Sequence, residues 1–404
     1  MARFLKKISF LAQWQKNLFV LWFGVLLACA SYTMIIPFLP MYLINELGVE
    51  TERVNFWSGL IFSIAFLGGA VMAPYWGAQA DKKGKMSMII RAGFSLAFVY
   101  ALAAVVRNEY ELLIVRAAQG IVSGFVPASM SLVANSLPRD KTGWGLGLMQ
   151  TAISTGSILG PLFGGLLANY FTMRWSFVIA GMNIFLATLV VKFFVREERQ
   201  ILNQGHESFK KDFTIAYENK PLLHTLLLFS VVQGCIMMLQ PLLTLYIGKL
   251  QGSMQGAMVA SGIIFSLIGV AGIVAAPYWG GLGQKKGFGK TLFLVLFGAG
   301  IAVGLQTIIN NLWLFGLGQF IFGLFLAGTS PTMNANLVNF SEVDFRGRAF
   351  GLATSFHQLG SMLGPIIGGT LGSWIPTNYI FLVTSAILLV ASFTVRKRVE
   401  FREK

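Results

Sequence analysis

Charge is what this chain has least of. Of its 404 residues only 12% are Asp, Glu, Lys or Arg, while 55% are apolar; a soluble domain carries roughly 25% charged residues. Two residue types are scarcer still, with 2 cysteines and 3 histidines. Cys29 and Cys235 both lie in apolar runs, too far apart for a metal-ligand motif, so neither a disulfide framework nor a metal site is supported. His206 and His224 fall near the single long polar stretch, far from any carboxylate inside an apolar run. No nucleophile–base pair is present, which argues against an enzyme and calls for no cofactor. The 16 acidic residues all fall between the apolar runs or at their ends, so none stands in the middle of one.

What the chain has is hydrophobic length. Apolar runs of about twenty residues, the length a spanning helix requires, recur from end to end. Twelve spans are predicted, over 17–43, 56–79, 87–106, 110–135, 144–169, 174–194, 221–248, 256–280, 291–309, 312–337, 347–372 and 378–395. The chain therefore reads as an integral membrane protein. Arg3, Lys6 and Lys7 precede a long apolar span with no small-residue cleavage site, which reads as an uncleaved first helix. The net charge of +15 has a membrane explanation and does not point to nucleic acid. With the amino terminus inside, 26 of the 31 Lys and Arg residues fall on the inner side. Arg53, Arg107, Arg174 and Lys249 fall outside, and Arg116 lies within a span. That bias predicts both termini in the cytoplasm.

The polar stretch 197–220 separates six spans from six, so the expected organisation is a bundle over 1–196, a cytoplasmic linker over 197–220 and a second bundle over 221–404. The halves repeat each other. SGLIFS at Ser58 matches SGIIFS at Ser261, APYWG occurs at Ala73 and Ala276, and KKG at Lys82 and Lys285, all 203 residues apart. LGPLFGG at Leu159 matches LGPIIGG at Leu363, and PFLPMY at Pro37 pairs with PLLTLY at Pro241, at an offset of 204. A register kept across five motifs indicates duplication, with the two halves related as parallel repeats.

Three motifs and one side chain stand out. The run Gly147–Gly165 carries Gly147, Gly156, Gly160, Pro161, Gly164 and Gly165, and its spacing returns at Gly351, Gly360, Gly364, Pro365, Gly368 and Gly369. Glycines four apart share one helix face, and such a stripe lets a neighbouring backbone come close. The loop GAQADKKGKM, Gly77–Met86, is followed by Arg91. Its glycines suit a tight turn, Lys82 and Lys85 suit an anionic leaflet, and Asp81 suits the positive end of a neighbouring helix. In the fourth span Arg116, Gln119, Gly120 and Ser123 form one polar stripe. An arginine inside a span is costly and marks function by default; snorkelling to the outer end, roughly 9 Å away, is the alternative. In the eleventh span His357 is the one titratable group near the midplane. Imidazole titrates in the range a proton site needs, whereas packing beside Gln358 would need no titration.

These motifs carry a resemblance. The glycine pattern resembles the antiporter signature of the fifth helix in the major facilitator superfamily. The loop resembles that superfamily's loop signature, with Gly77, Ala80, Asp81 and Gly84 matching, Lys82 and Lys85 standing for arginines, and Gln79 and Met86 departing. Arg116, Gln119 and Gly120 resemble its fourth-helix motif, which is associated with proton coupling. WSGLIFSIAFLGGAVMAPYWG, LLIVRAAQGIVSGFVPASMSLVA and WGLGLM resemble the bacterial MdtG/PmrA-type multidrug efflux carriers of the drug:proton antiporter family.

The resemblance implies an all-α membrane protein with twelve helices in two pseudo-symmetric six-helix bundles. It implies secondary active export of amphipathic drugs, fluoroquinolones among them, by alternating access and in exchange for protons. The setting would be a bacterial plasma membrane, and the carrier a monomer. Asp81, with Lys85 and Arg91 nearby, would face the eleventh helix at Arg346 and Arg348; in the repeat Gln284 replaces Asp81. Spans 1, 4, 7 and 10 would line the cavity, through Tyr32 and Met34; Arg116, Gln119 and Ser123; Gln233, Met237 and Gln240; and Gln319, Phe322 and Asn334. Soft, repackable surfaces of this kind suit varied substrates. The glycine helices would slide, the fifth against the eighth at Ser261, Gly262 and Gly269, and the eleventh against the second at Ser58, Gly59 and Gly68. Many drug:proton antiporters use a buried carboxylate; this chain lacks one in mid-span, which leaves His357 as the expected proton site. Export of a defined metabolite such as a sugar or osmolyte is the alternative, though a sugar site would want more paired carboxamides and acids in mid-span.

Overall fold

The computed structural model describes residues 12–138, 141–197, 209–252, 256–342 and 345–400. The calls on Arg3, Lys6, Lys7, Arg139, Arg199, His206, Arg402 and Lys404 lie outside them. Among the described residues the secondary structure is helical. In chain order the helices are α1 (Gln13–Ile35), α2 (Leu39–Asn45), α3 (Thr51–Lys83), α4 (Lys85–Ala103), α5 (Glu109–Val122), α6 (Phe125–Ser136), α7 (Thr142–Tyr170) and α8 (Met173–Phe194). They continue with α9 (Phe209–Glu218), α10 (Lys220–Gln251), α11 (Ala257–Lys286), α12 (Phe288–Leu305), α13 (Leu312–Leu326), α14 (Thr329–Phe340), α15 (Arg346–Trp374) and α16 (Thr377–Glu400).

By length and composition, 11 stretches among the described residues are able to cross a bilayer. The one expected span outside these is the eleventh, α15, a single helix of 29 residues. Its run of Gly, Ser and Thr dilutes its apolarity. Three spans are built from two helices each. In the first, Pro37 offers no N–H, and a 3-10 turn at Ile36–Phe38 separates α1 from α2. The fourth breaks at Ser123 and Gly124, where Gly124 has φ +126°, and the tenth at Ala327 and Gly328.

The chain divides into two compact units, Met1–Ile36 with Gly68–Gln204, and Pro37–Leu67 with Gly205–Lys404, in their described parts. In the first, α1 packs on α7, α8 and α6, and α4 on α8, α6 and α5. In the second, α10 packs on α15 and α16, α12 on α16, α13 and α14, and α11 on α13. The partners α1–α7 and α4–α8 thus recur as α10–α15 and α12–α16. The first core gathers Leu21, Val25, Ile89, Phe125, Met149 and Val191. The second centres on Tyr246, Phe315 and Phe381, whose rings meet pairwise at 5.1–5.6 Å. Large apolar side chains such as Val71, Phe98, Ile114 and Val390 stand exposed. Lipid, not water, is the solvent such a surface fits.

The glycine ridges meet the first span of their own half, and of the partners that the sequence suggested the second span meets the eleventh at Gly59. A Cβ at Gly156, Gly160 or Gly164 would fall on the carbonyl oxygens of Leu26, Ala30 and Met34 of α1. In the second unit a Cβ at Gly360, Gly364 or Gly368 would fall on those of Ser230, Gly234 and Met238 of α10. Each glycine and its partner shift together by 204 residues (360 − 156 and 230 − 26). The bare face of the fifth span is therefore filled by the first span, and that of the eleventh by the seventh. The eleventh span also meets the second: a Cβ at Gly59 would strike the Pro365 carbonyl, Gly369 lies against Asn55 and Gly59, Ser63 donates to the Met362 carbonyl at 2.6 Å, and Asn55 donates to that of Gly372 at 2.7 Å. Approach this close brings Cα–H groups against carbonyls, which suits permanent packing better than sliding. Gly147 and Gly351 have open space around them, and Gly165 is buried.

At one end of the first unit the start of α1 and the residues after α8 are bonded together. Asn17 donates from Nδ2 to the Arg196 carbonyl at 2.7 Å and accepts at Oδ1 from the Arg196 N–H at 3.1 Å. The next residue, Glu197, accepts from the N–H groups of Lys85 and Met86, both at 2.8 Å, so a carboxylate caps the positive end of α4. Gly84, at φ +94°, is where that carboxylate passes closest to the loop. The expected linker is in part the helix α9. Its Asp212 pairs with Arg348 at 3.0 Å, and Asn219 caps α10 through Leu222 N–H at 3.1 Å while donating to the Phe340 carbonyl at 2.8 Å.

Candidate functional site

The polar stripe of the fourth span sits on α5. Its start is fixed by a cap: Asn108 accepts from Glu111 N–H at 2.9 Å, and Glu111 reaches back to accept from Arg107 N–H at 2.8 Å. Two turns on, Arg116 is 4% exposed. It does not snorkel out. Its Nη1 donates to Gln119 Oε1 at 3.0 Å, and Gln119 Nε2 donates to the Tyr100 hydroxyl of α4 at 3.1 Å. The guanidinium carbon lies 5.5 Å from the centre of the Phe177 ring of α8. Tyr32 of α1 and Tyr100 both lie within electrostatic reach of Arg116. One fixed positive charge is thus held among two phenols and an amide inside the first unit. A cation so placed can attract an anionic group or raise the cost of a second cation nearby.

The other expected residues are placed as follows. Asp81 is exposed near the end of α3, and Lys85 is half-buried, its N–H held by Glu197. Arg91 follows the loop, as the sequence indicates. It lies within α4, donating to the Val122 carbonyl at 2.8 Å, with its guanidinium 3.6 Å over the Trp76 ring. Tyr32 and Ser123 are half-buried, while Met34 is buried beneath Gly164. In the second unit Gln233 donates to Ser361 at 3.0 Å, Met237 packs at Gly364, and Gln240 is half-buried. Gln319 is 1% exposed and donates to Gln306 at 2.9 Å, and Phe322 is 3% exposed. Both are packed inside their unit and offer no open surface. Asn334 and His357 are exposed.

The sequence reading missed Tyr100, Gln306, Trp76 and Glu197. One signal was available: Gln319 lies 203 residues after Arg116, so the repeat marks it as the neutral counterpart of the arginine.

The major facilitator superfamily model matches residues 21–305 and 259–403. The curated multidrug resistance protein MdtG of Salmonella arizonae is 33% identical over 378 residues, covering 93% of this chain and 93% of its own. MdtG of Dickeya zeae is 32% identical over 382 residues, covering 94% and 93%. Among solved structures, a mutant of the nucleoside transporter NupG superposes with a TM-score of 0.80 at 13% identity, over 94% of this chain and 99% of that one. The D-xylose–proton symporter gives 0.76 at 15% identity, over 95% and 97%. Those two likenesses concern the fold. With twelve spans arranged as a repeated pair and a near full-length match to curated carriers, this chain belongs to the major facilitator superfamily, alongside the MdtG proteins, and is a transporter rather than an enzyme.

Proposed function

We propose that the protein exports amphipathic drugs from the bacterial cytoplasm by alternating access, in exchange for protons, with fluoroquinolones among its substrates. The reading is carried by the match to multidrug resistance protein MdtG at 33% identity over 93% of both chains. The buried Arg116–Gln119–Tyr100 group supports coupling, because a fixed charge inside a span is costly unless it is used. His357 supports it as an accessible imidazole on α15. Accessible candidates for drug contact are Tyr32 and Ser123 in the first unit, and Gln240 and Asn334 in the second.

The test is drug accumulation in cells with and without the protein, repeated after the proton gradient is collapsed. Expression should lower accumulated fluoroquinolone, and collapse should abolish the difference. His357→Gln at matched abundance should lose the gradient-dependent part. Equal accumulation with and without the protein overturns drug export. Efflux that survives collapse overturns proton exchange, and full coupling in His357→Gln removes His357 from it.

A further inference from the structure

Both halves break a span at matching places, between α5 and α6 and between α13 and α14. A break inside a membrane frees carbonyl oxygens that water cannot reach, so each needs a donor from the protein. One donor is duplicated. Trp76 Nε1–H donates to the Ile121 carbonyl at 2.7 Å, and Trp279 Nε1–H donates to the Leu324 carbonyl at 2.7 Å. Donors and acceptors share one offset (279 − 76 and 324 − 121 are both 203).

The next two carbonyls are served differently. In the second half the donors are local: Gly328 N–H reaches the Phe325 carbonyl at 3.0 Å, and the Thr329 hydroxyl reaches that of Leu326 at 2.7 Å. In the first half α6 opens on Phe125 and Val126, which carry no hydroxyl. The donor there comes from α4. Arg91 Nη1 reaches the Val122 carbonyl at 2.8 Å, and both Nη groups reach that of Ser123 at 3.4 Å. The matching position in the second half (91 + 203) is Leu294, an exposed leucine. The guanidinium rests 3.6 Å over Trp76, so one indole serves both as donor to the break and as a platform for the cation. The charge stands at the negative end of α5. Nine residues further along α4, Tyr100 receives Gln119.

We infer that Arg91, seated on Trp76, is a positioning residue that closes the break in the fourth span and so holds Arg116 and Gln119 against Tyr100. Its role lies inside the span, not in the loop that precedes α4. The transport consequence rests on the export reading above; the structural one does not.

The experiment compares wild type, Arg91→Leu, Arg91→Lys and Trp76→Phe, purified in lipid nanodiscs. Hydrogen exchange is read over 119–128, with 312–334 as internal control, and export is read in cells at matched abundance. Arg91→Leu should speed exchange over 119–128 by about tenfold, the loss expected when a charged donor is removed, and leave 312–334 unchanged. Arg91→Lys should fall between, since an ammonium keeps the charge without the fork. The maximal export rate should fall by about tenfold in Arg91→Leu, with KM little altered. Unchanged exchange over 119–128 overturns the inference, and if Arg91→Leu does not fold, Trp76→Phe decides by the same criterion. Faster exchange with a wild-type export rate also overturns it. If the wild type exports no drug while Arg91→Leu still speeds exchange over 119–128, the export reading falls and the structural role of Arg91 stands.

Discussion

Arg116 gives up water for a small set of partners, and the geometry of those partners depends on its shape. A guanidinium presents a planar fork, so one nitrogen can hold Gln119 while the rest of the group lies near Phe177. A lysine keeps the charge and loses the fork. Arg116→Lys should therefore cut export by about tenfold, the value of one hydrogen bond to a charged group, with the protein still present at normal abundance. Accumulation assays with matched immunoblots measure this, and full activity would reduce Arg116 to a packing cation. Arg116 and Gln119 were readable together because residues three apart on a helix share a face. Tyr100 was not, since it approaches from another helix and nothing in sequence spacing records that. Gln319 and Phe322 were assigned to an open surface because a span number gives the element but not its rotation. The structure turns both inward.

Among the elements, the closest packings are made by backbone. At Gly160 an added methyl would meet the Ala30 carbonyl and the Thr33 hydroxyl, and α1 or α7 would have to move. Overpacking of this kind costs about 1–3 kcal/mol. Gly160→Ala should lower the midpoint of thermal unfolding in detergent, whereas Gly147→Ala, with open space beside it, should not. Equal midpoints for the two variants would mean that α1 and α7 are not so tightly joined. The sequence told which face of each glycine helix is bare. It did not tell which helix fills that face, because any backbone fits a bare ridge. The span limits were legible to within a few residues, since apolar runs are long and their flanks charged. The breaks at Gly124 and Gly328 were not. Two half-helices in line have the hydropathy of one, and much of what stabilises the breaks comes from other spans, from Trp76 and Arg91 at the first and Trp279 at the second.

For the molecule as a whole, the distribution of Lys and Arg makes a prediction about sidedness. Lys82 and Trp313 are both exposed, Trp313 at 85%, and lie at opposite ends of their respective spans. With Cys29 and Cys235 replaced, an impermeant maleimide should label Trp313→Cys in intact cells and Lys82→Cys only after permeabilisation. The reverse pattern would place the termini outside. The duplication was the most legible whole-chain property, because a register kept over 203 to 204 residues is visible without any structure. The mutual bonding of Asn17 and Arg196 bears on how such a duplication is tolerated. A segment whose entry and exit meet at one point can be copied end to end without rerouting a strand of chain through its own interior.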